Sequence, residues 1–371
     1  MNIIVLFIII LFCCLVLFKP SSKILTAVMM LLFIIMITGT HDSYDYYQYT
    51  IMYSKASCGL PSNVSGTIML SSLMRFGSLV GLEYDQFRFV VTLIESLLIQ
   101  STFKRYTENT AYTWLLFILF PGWWLTTLFR HTIALTILIW AIRYLIEDKK
   151  FNTIKYLLCV FVAGTFHSAF WFFLLLVLIK FYDEKTILLF GVASALVLFS
   201  INQISFMDSL LNLFRIEDDI AERIQGRSTS LFSLISTVIH MAPLLIDGIF
   251  AYCLYIGKFY FGTNNLNLKN ERESYVQKNF TKICSTYIFS ICMSLISSIS
   301  SRLCHFYAIY FIIVTANTLT KYKYNLKYKL LIETMFVCGS ILLTIFSCME
   351  SKSLYDLIIK AIFDTNIILN L

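Results

Sequence analysis

The sequence predicts an all-α polytopic membrane protein with about 12 transmembrane helices. The first observation is composition, because 58% of the 371 residues are hydrophobic and only 14% are charged. Soluble domains carry about 25% charged residues. The second observation is a mean hydropathy of +0.76. The third is that the charges fall in short clusters, separated by apolar runs of about 15–20 residues, the length of helix that crosses a hydrocarbon core ~30 Å thick.

The apolar runs between the charge clusters place the predicted spans along the chain. They lie at 2–18, 24–40, 84–103, 111–128, 131–147, 152–166, 168–182, 186–202, 233–257, 280–299, 303–320 and 330–348. Residues 65–82 are also apolar, but Arg75 interrupts them, and they suit a helix at the membrane interface. The N-terminus lacks a basic segment, so 2–18 is interpreted as a first span and not as a cleaved signal peptide. Residues 1–371 are therefore predicted to form a single integral membrane domain.

The basic residues orient these spans. If the N-terminus is outside, 19 of the 29 basic residues lie on the inner side, as the positive-inside rule requires. This orientation places residues 41–82 and 203–232 in outer loops and residues 258–279 in an inner loop. We therefore predict a multi-pass protein of the cell (inner) membrane.

Lysine and arginine divide differently between the two sides. Of the 19 lysines 16 fall inside, whereas seven of the ten arginines fall outside. The guanidinium group is a planar, permanently charged donor that suits phosphate. The outer set therefore indicates a phosphate or pyrophosphate ligand at the outer headgroup level; the alternative is hydrogen bonding to lipid headgroups or loop carboxylates. The seven are Arg75, Arg88, Arg130, Arg215, Arg223, Arg227 and Arg302.

The segment 120–131 joins two spans at the outer face. Its Pro-Gly pair at 121–122 is expected to break the helix, and the two tryptophans that follow are typical of a membrane interface. Arg130 and His131 then lie at the outer boundary, where charged side chains usually face a cavity or a partner. The alternative for Arg130 is a side chain that snorkels from a helix end.

Two further outer boundaries carry titratable or cationic side chains. His167 lies between two apolar runs with no charge cluster, which predicts a tight outer turn. Histidine has an unperturbed pKa of about 6.5 and can accept a proton at neutral pH, although a packed, hydrogen-bonded histidine is the alternative. Arg302 and His305 begin a later span after the serine-rich segment 297–301. A helix cap with a snorkelling charge is the alternative there.

The two outer loops supply the remaining candidates. In the first loop Asp42 aligns with Tyr46, and Asp45 with Tyr49, at the i, i+4 spacing of a helix face. Tyrosine beside carboxylate offers rings for sugar faces and oxygens for hydroxyls, although tyrosine is also common at membrane interfaces. The second loop, 203–232, is interpreted either as a solvated surface helix or as a lid that supplies Arg215, Arg223 and Arg227.

Cysteine and histidine spacing gives no metal pattern. Most of the ten cysteines lie in or beside apolar runs, where cysteine behaves as a small hydrophobe. Cys58 lies in the first outer loop without an obvious partner, and the chain contains neither CxxC nor HExxH. We predict no disulfide, no metal and no cofactor.

These motifs, in this order, resemble the EpsG/Wzy-type family of oligosaccharide repeat-unit polymerases, which make O-antigen or exopolysaccharide. The matching elements are Gly39-Thr40-His41 leading into Asp42 and Tyr46, then Phe129-Arg130-His131-Thr132-Ile133-Ala134, then Phe166-His167-Ser168-Ala169, and finally Ser301-Arg302-Leu303 followed by Tyr307 and Tyr310-Phe311. The resemblance extends over most of the chain. It implies a GT-C-like helical glycosyltransferase with its active site on the outer, periplasmic face.

The implied reaction takes a glycan chain from undecaprenyl pyrophosphate and transfers it to a sugar hydroxyl of the next lipid-linked repeat unit. Arginines aimed at the leaving pyrophosphate replace a metal ion in this hypothesis. The expected partners are undecaprenyl-pyrophosphate-linked oligosaccharides, membrane lipids and a chain-length regulator, with no nucleic acid. Arg130 and Arg302 are expected to bind the pyrophosphate, with help from Arg75, Arg215, Arg223 and Arg227. His167 or Asp42 is expected to act as the general base. Substrate contacts are expected from Tyr46, Tyr49, His131 and His305.

Three other membrane functions remain as alternatives. A lipid-linked oligosaccharide flippase also binds pyrophosphate, but it should show internal symmetry and broken helices at the membrane midplane, and no convincing repeat is present. A polysaccharide acyltransferase would need polar residues that extend toward the inner side. An O-antigen ligase shares the chemistry of a polymerase and differs in its acceptor.

Overall fold

The computed structural model describes residues 3–41, 44–60, 68–147, 149–203, 271–296 and 303–321, with residues 334, 337, 338 and 366 in addition. Every regular element within these residues is helical, which confirms the all-α prediction. The predicted span 233–257 and the outer loop 203–232 beyond Gln203 lie outside the described residues. Most of the predicted span 330–348 also lies outside them.

The helices follow the predicted apolar runs closely. Along the chain they are α1 (Ile3–Phe18), α2 (Lys23–Thr38), α3 (Tyr44–Ser57), α4 (Ile68–Leu79), α5 (Tyr84–Tyr106), α6 (Thr110–Phe117), a π-helical turn (Ile118–Gly122), α7 (Trp123–Leu125), α8 (Phe129–Ile146), α9 (Asn152–Phe166), a 3-10 helix (Ser168–Lys180), α10 (Glu184–Gln203), α11 (Glu271–Lys278), α12 (Phe280–Ile296) and α13 (Cys304–Lys321). The first outer loop is itself mostly helical, since α3 and α4 occupy it. The helix predicted at 65–82 is present as α4.

One helix in the described part of the chain, α8, is both long and apolar enough to cross a membrane. Shorter apolar helices accompany it at Lys23–Thr38, Thr110–Leu125, Asn152–Phe166, Ser168–Lys180 and His305–Asn317. The number of about 12 spans and the GT-C-like arrangement therefore stay predictions.

Helix α5 buries charged side chains and exposes large apolar ones. Phe89, Ile94 and Leu97 are 47%, 52% and 52% exposed. On the opposite face Arg88 and Glu95 are each only 3% exposed. A soluble protein would bury the first set and expose the second. The arrangement suits a helix that presents its apolar side to lipid.

The helical conformation is interrupted between α6 and α8, as predicted from the Pro-Gly pair. Phe120 leaves the helical conformation, with φ −162° and ψ 125°, and Pro121 has no N–H to continue the ladder. The backbone approaches itself closely here, because a Cβ on Gly122 would lie 2.8 Å from the carbonyl oxygen of Phe117. The break turns the chain so that α8 starts anew at Phe129.

Short connections make successive helices run in alternating directions, so that their termini gather at two ends. At one end, here named the Glu147 end, Glu147 accepts hydrogen bonds from Arg105 at 2.6 and 2.7 Å and from the Tyr106 hydroxyl at 2.9 Å. Burial raises the pKa of Glu147, but these hydrogen bonds outweigh it and lower the pKa to about 2. The carboxylate thus joins the end of α5 to the end of α8.

At the opposite end, here named the histidine end, the C-termini of α2 and α9 meet the N-termini of α5, α8 and α13. The Arg88 guanidinium of α5 donates to the carbonyl of Thr40 at 2.7 Å and to that of Ile37. Both carbonyls close α2, where helical hydrogen-bonding partners run out. Asn366, from near the C-terminus of the chain, donates to the Ile35 carbonyl at 3.3 Å and lies against Gly39.

Candidate functional site

Three of the histidines meet at the histidine end. His131 Nε2 lies 3.2 Å from His305 Nδ1, and these rings are nearly perpendicular with centroids 5.3 Å apart. The ring of His167 also contacts the ring of His131, and their centroids are 5.5 Å apart. All three side chains are buried. Three helix termini, predicted from the sequence only as separate outer boundaries, therefore form one imidazole cluster.

His167 occupies the turn between α9 and the 3-10 helix. The tight turn predicted from the sequence is confirmed, because α9 ends at Phe166 and the next helix begins at Ser168. The Nδ1 atom of His167 accepts a hydrogen bond from the Ala169 N–H at 3.3 Å. In its neutral form, this ring therefore carries its proton on Nε2.

Arg130 directly precedes His131 of this cluster in α8, and no hydrogen bond or ion pair to any of the described residues engages its guanidinium. It is half-buried, its Nε is buried without a hydrogen-bond partner, and it forms no ion pair with any of the described residues. Arg88, Arg105 and Arg143 all hydrogen-bond to backbone or side-chain oxygens. A guanidinium held near a polar cluster without a protein acceptor is suited to an external anion.

Arg88 has a structural explanation that the sequence did not suggest. It belongs to the seven outward arginines, but its guanidinium is buried on the carbonyls that end α2. A cation at a helix C-terminus is favoured by the helix dipole. Arg88 also lies under the ring of Tyr46, 5.2 Å from the ring centroid. Its predicted position on the outer side therefore needs no phosphate ligand.

A second polar cluster surrounds Tyr46 of α3. The Tyr46 hydroxyl donates to Asp85 Oδ1 at 3.0 Å, and the His41 ring packs on the Tyr46 ring with centroids 4.7 Å apart. Burial of Tyr46, together with the negative charge of Asp85 and the hydrogen bond to it, raises the pKa of Tyr46 to about 12. The phenol therefore remains a donor at neutral pH. The sequence had paired Tyr46 with Asp42, which lies outside the described residues.

Aromatic contacts connect the two clusters. Tyr49 follows Tyr46 by nearly one turn of α3 and packs edge-on against Phe129, with ring centroids 5.8 Å apart. Phe129 directly precedes Arg130 in α8. The imidazole cluster, Arg130 and the Tyr46 cluster therefore form one continuous region at the histidine end.

The other predicted site residues divide into two groups. Arg75 is exposed on α4, away from any hydrogen-bond or ion-pair partner among the described residues. Asp42, Arg302, Arg215, Arg223 and Arg227 lie outside the described residues. Within the described ranges no group of three or more histidine, cysteine, aspartate or glutamate side chains has a metal-binding arrangement. Catalysis without a metal stays a prediction.

The sequence interpretation missed two carboxylates of α5. Asp85 lies in the first turn of the helix. Glu95 is buried in its middle, and neither of its oxygens has a hydrogen-bond partner among the described residues. A signal for Asp85 was present, because it stands at the outer boundary of the predicted span 84–103, as Arg130 does for the next pair of spans. For Glu95 the signal was a charge inside an apolar run.

Comparison with known proteins gives one family. The family model described as the EpsG family matches residues 23–359 of the chain. No curated protein and no solved structure matches.

Proposed function

The chain belongs to the EpsG family, and we propose that it is a membrane polysaccharide polymerase that joins lipid-linked oligosaccharide repeat units. In this reaction a hydroxyl oxygen of the acceptor unit bonds to the anomeric carbon of the donor glycan. The bond from that carbon to the undecaprenyl pyrophosphate carrier breaks, and its electron pair leaves on the pyrophosphate. The proton of the acceptor hydroxyl must pass to a base.

The observation that carries this proposal is the uncommitted guanidinium of Arg130 beside the imidazole cluster. Charge develops on the pyrophosphate as the bond breaks, and preorganised donors aimed at that charge stabilise the transition state. Arg130 is positioned for this because no protein acceptor competes for it among the described residues. Arg302, three residues before His305 in the sequence, is its proposed partner, with Arg75, Arg215, Arg223 and Arg227 assisting.

We further propose that the histidine end faces outward from the cell membrane. The described lysines that support this orientation lie in the helix termini and connections of the Glu147 end. They are Lys19, Lys23, Lys104, Lys149, Lys150, Lys155, Lys180, Lys185, Lys278, Lys282 and Lys321. Because positive charge favours the cytoplasmic side, the opposite end, with its imidazoles and tyrosines, is the proposed periplasmic or outer face.

The base is proposed among the titratable groups at this end. His167 is the first choice from the sequence and Asp42 the second. A base needs a ring nitrogen with a free lone pair. The hydrogen bond from the Ala169 N–H occupies the lone pair on Nδ1 of His167, so this bond would have to break before Nδ1 could accept a proton. His131 and His305 are proposed to contact the donor, and Tyr46 and Tyr49 the sugar rings.

Two experiments test the polymerase function. In cells that lack the protein, we expect the glycan ladder to disappear while single repeat units still reach the surface. Loss of all surface glycan, with lipid-linked units accumulating inside, would identify a flippase instead. In vesicles of phosphatidylethanolamine and phosphatidylglycerol, the purified protein should lengthen lipid-linked repeat units extracted from those cells; transfer only to a different acceptor would identify a ligase, and acylation without lengthening an acyltransferase.

A variant pair sharpens the second experiment. Arg130→Ala should lower the release of undecaprenyl pyrophosphate strongly. Lys185→Ala removes a cation from an exposed position at the Glu147 end and should leave the rate unchanged. Full activity of a variant that combines Arg130→Ala with Arg302→Ala would refute the role of the arginines.

A further inference from the structure

His41 has the ring geometry that a general base requires. Its Nε2 lies 3.2 Å from the carbonyl oxygen of Thr38. A carbonyl oxygen only accepts hydrogen bonds, so this contact places the ring proton on Nε2. The Nδ1 atom then carries the lone pair, and it forms no hydrogen bond with any of the described residues.

A carboxylate stands beside the same ring to stabilise its charged form. Asp85 Oδ1 lies 3.9 Å from His41 Nε2. The carboxylate also accepts the hydrogen bond from Tyr46, and no lysine or arginine of the described chain forms an ion pair with it. Arg88 interacts with this carboxylate only beyond ion-pair distance, so the negative charge of Asp85 also acts on an imidazolium at His41. The carbonyl of Thr38 and the carboxylate of Asp85 thus take the place that orienting groups have beside a catalytic histidine.

His167 has the opposite arrangement. Its Nδ1 accepts from a backbone N–H, so that the neutral ring presents Nε2–H, which is a donor. Before His167 accepts a proton from a hydroxyl, one of these nitrogens must be freed. His41 needs no such change.

The surroundings of His41 suit a sugar acceptor. Its ring packs on Tyr46, and Tyr47, which is 57% exposed, packs edge-on against Tyr46. Exposed aromatic rings beside a carboxylate provide apolar faces for a sugar ring and an acceptor for its hydroxyls. The side chains of His41 and Asp85 are 23% and 52% exposed, so that an acceptor can reach them from outside.

We propose that His41 is the general base of the glycosyl transfer and that Asp85 is its positioning residue. This inference rests on the proposed polymerase function. The acceptor hydroxyl gives its proton to Nδ1 of His41 as its oxygen bonds to the anomeric carbon and the pyrophosphate departs with the electron pair. The imidazolium is held by the Thr38 carbonyl and the Asp85 carboxylate, and it returns the proton to water after the product leaves.

The test is chemical rescue in the vesicle assay with extracted lipid-linked repeat units. Because general base catalysis contributes about 10²–10⁴-fold, His41→Ala should lower turnover by about 100-fold or more. Imidazole added to the buffer should restore turnover of His41→Ala in proportion to its concentration. His167→Ala is the matched control, and imidazole should not restore it. Rescue of His167→Ala with no rescue of His41→Ala would overturn the proposal.

A second variant separates loss of the base from loss of the fold. His41→Gln keeps an N–H donor near the position of Nε2 for the Thr38 carbonyl and removes the basic nitrogen. It should unfold at the same temperature as the wild type in detergent and be as inactive as His41→Ala. A folded His41→Gln protein with wild-type turnover would refute the role of His41.

Asp85 is tested through its dependence on His41. Asp85→Asn should lower turnover about tenfold in the wild-type background, which corresponds to about 1.4 kcal/mol in the activation barrier, because it removes the negative charge beside the imidazolium. In the His41→Ala background the same substitution should have little further effect, because residues that act as a unit are not additive. Additive losses would show that Asp85 does not act through His41.

The failure of this inference differs from the failure of the polymerase function. Wild-type protein that releases no undecaprenyl pyrophosphate and builds no longer glycan would refute both. Active wild-type protein with an equally active His41→Ala variant would refute the base alone.

Discussion

His131 of α8 and His305 of α13 lie within hydrogen-bonding distance, with His131 Nε2 3.2 Å from His305 Nδ1. One ring must donate while the other accepts, so the contact fixes the protonation of both rings relative to each other. It also brings together two N-terminal helix ends that are 174 positions apart in the chain. The two arginine motifs of the family resemblance, at 129–134 and 301–303, adjoin these two residues.

We expect His131→Leu to destabilise the protein by about 1–3 kcal/mol, because it leaves a buried nitrogen of His305 without its partner. The measurement is thermal unfolding of the purified protein in detergent. His131→Gln, which keeps a side-chain donor and acceptor, is the control and should lose less stability. Equal losses for both variants would mean that volume, and not the hydrogen bond, determines stability here.

Arg130→Ala is expected to lower polymerase turnover by about 10²–10³-fold, the usual effect of removing one donor from a developing anion. Arg130→Lys should recover only part of this, since a lysine ammonium lacks the planar pair of donors. Release of undecaprenyl pyrophosphate, measured under single-turnover conditions, checks both. A lysine variant as active as the wild type would show that charge alone is required.

Chelation should not stop the reaction. If arginines stabilise the leaving pyrophosphate, treatment with EDTA followed by gel filtration leaves the turnover of the wild type unchanged. The assay is lengthening of lipid-linked units with and without added Mg²⁺ or Mn²⁺. Loss of activity that a divalent cation restores would refute the metal-free mechanism.

Glu147 makes the free energy of unfolding depend on pH in the acid range. Its pKa is lowered to about 2 in the folded protein, against about 4.3 for an unperturbed glutamate. A lowered pKa contributes stability that is fully present above the unfolded value and is lost as the pH falls through the folded value. We therefore expect the free energy of unfolding to fall between about pH 4.3 and pH 2, by about 1–3 kcal/mol after allowance for solvent screening.

The matched variant for this prediction is Glu147→Gln, which leaves Arg105 without its carboxylate. It should be less stable than the wild type at pH 7. The difference between the two proteins should shrink as the pH approaches 2. Parallel curves for wild type and variant over this range would contradict the assignment.

Gly164 permits the close packing of α9 on the 3-10 helix. A Cβ at this position would lie 2.6 Å from a ring carbon of Trp171. Gly164→Ala should therefore destabilise the protein by about 1–3 kcal/mol through overpacking. Trp171→Leu in the same chain should relieve part of that loss, because the overlapping ring is gone. Unfolding temperatures of the two single variants and the double variant measure this coupling, and purely additive losses would argue against it.

The positions of the helices were predictable from the sequence, because an apolar run of fixed length between charges is a local signal. The break at Pro121 was predictable from the Pro-Gly pair, and the tight turn at His167 from the missing charge cluster between two apolar runs, which are also local signals. Which helix ends meet was not predictable. The contact of His131 with His305 and that of Arg105 with Glu147 join residues far apart in the sequence, and one sequence carries no information on which helices are neighbours.

Individual charges were harder to interpret than their distribution. Arg88 and Arg130 both lie near the predicted outer start of a span, and only the structure distinguishes their roles, because the Arg88 guanidinium already binds the carbonyls that end α2. Asp85 stands out less in the sequence than the aspartates of the first outer loop, which have tyrosines at i, i+4 spacing. Its neighbours His41 and Tyr46 come from a different segment of the chain, and the cluster exists only after folding.

The contact of Asn366 with the end of α2 links two distant segments of the sequence. Asn366 donates to the Ile35 carbonyl, 331 positions away in the chain, and it occupies the space that a side chain on Gly39 would need. A substitution at either Asn366 or Gly39 would therefore disturb the backbone that leads into His41. The late part of the sequence thus helps to shape the cluster around His41, although none of its residues belongs to that cluster in the described part of the chain.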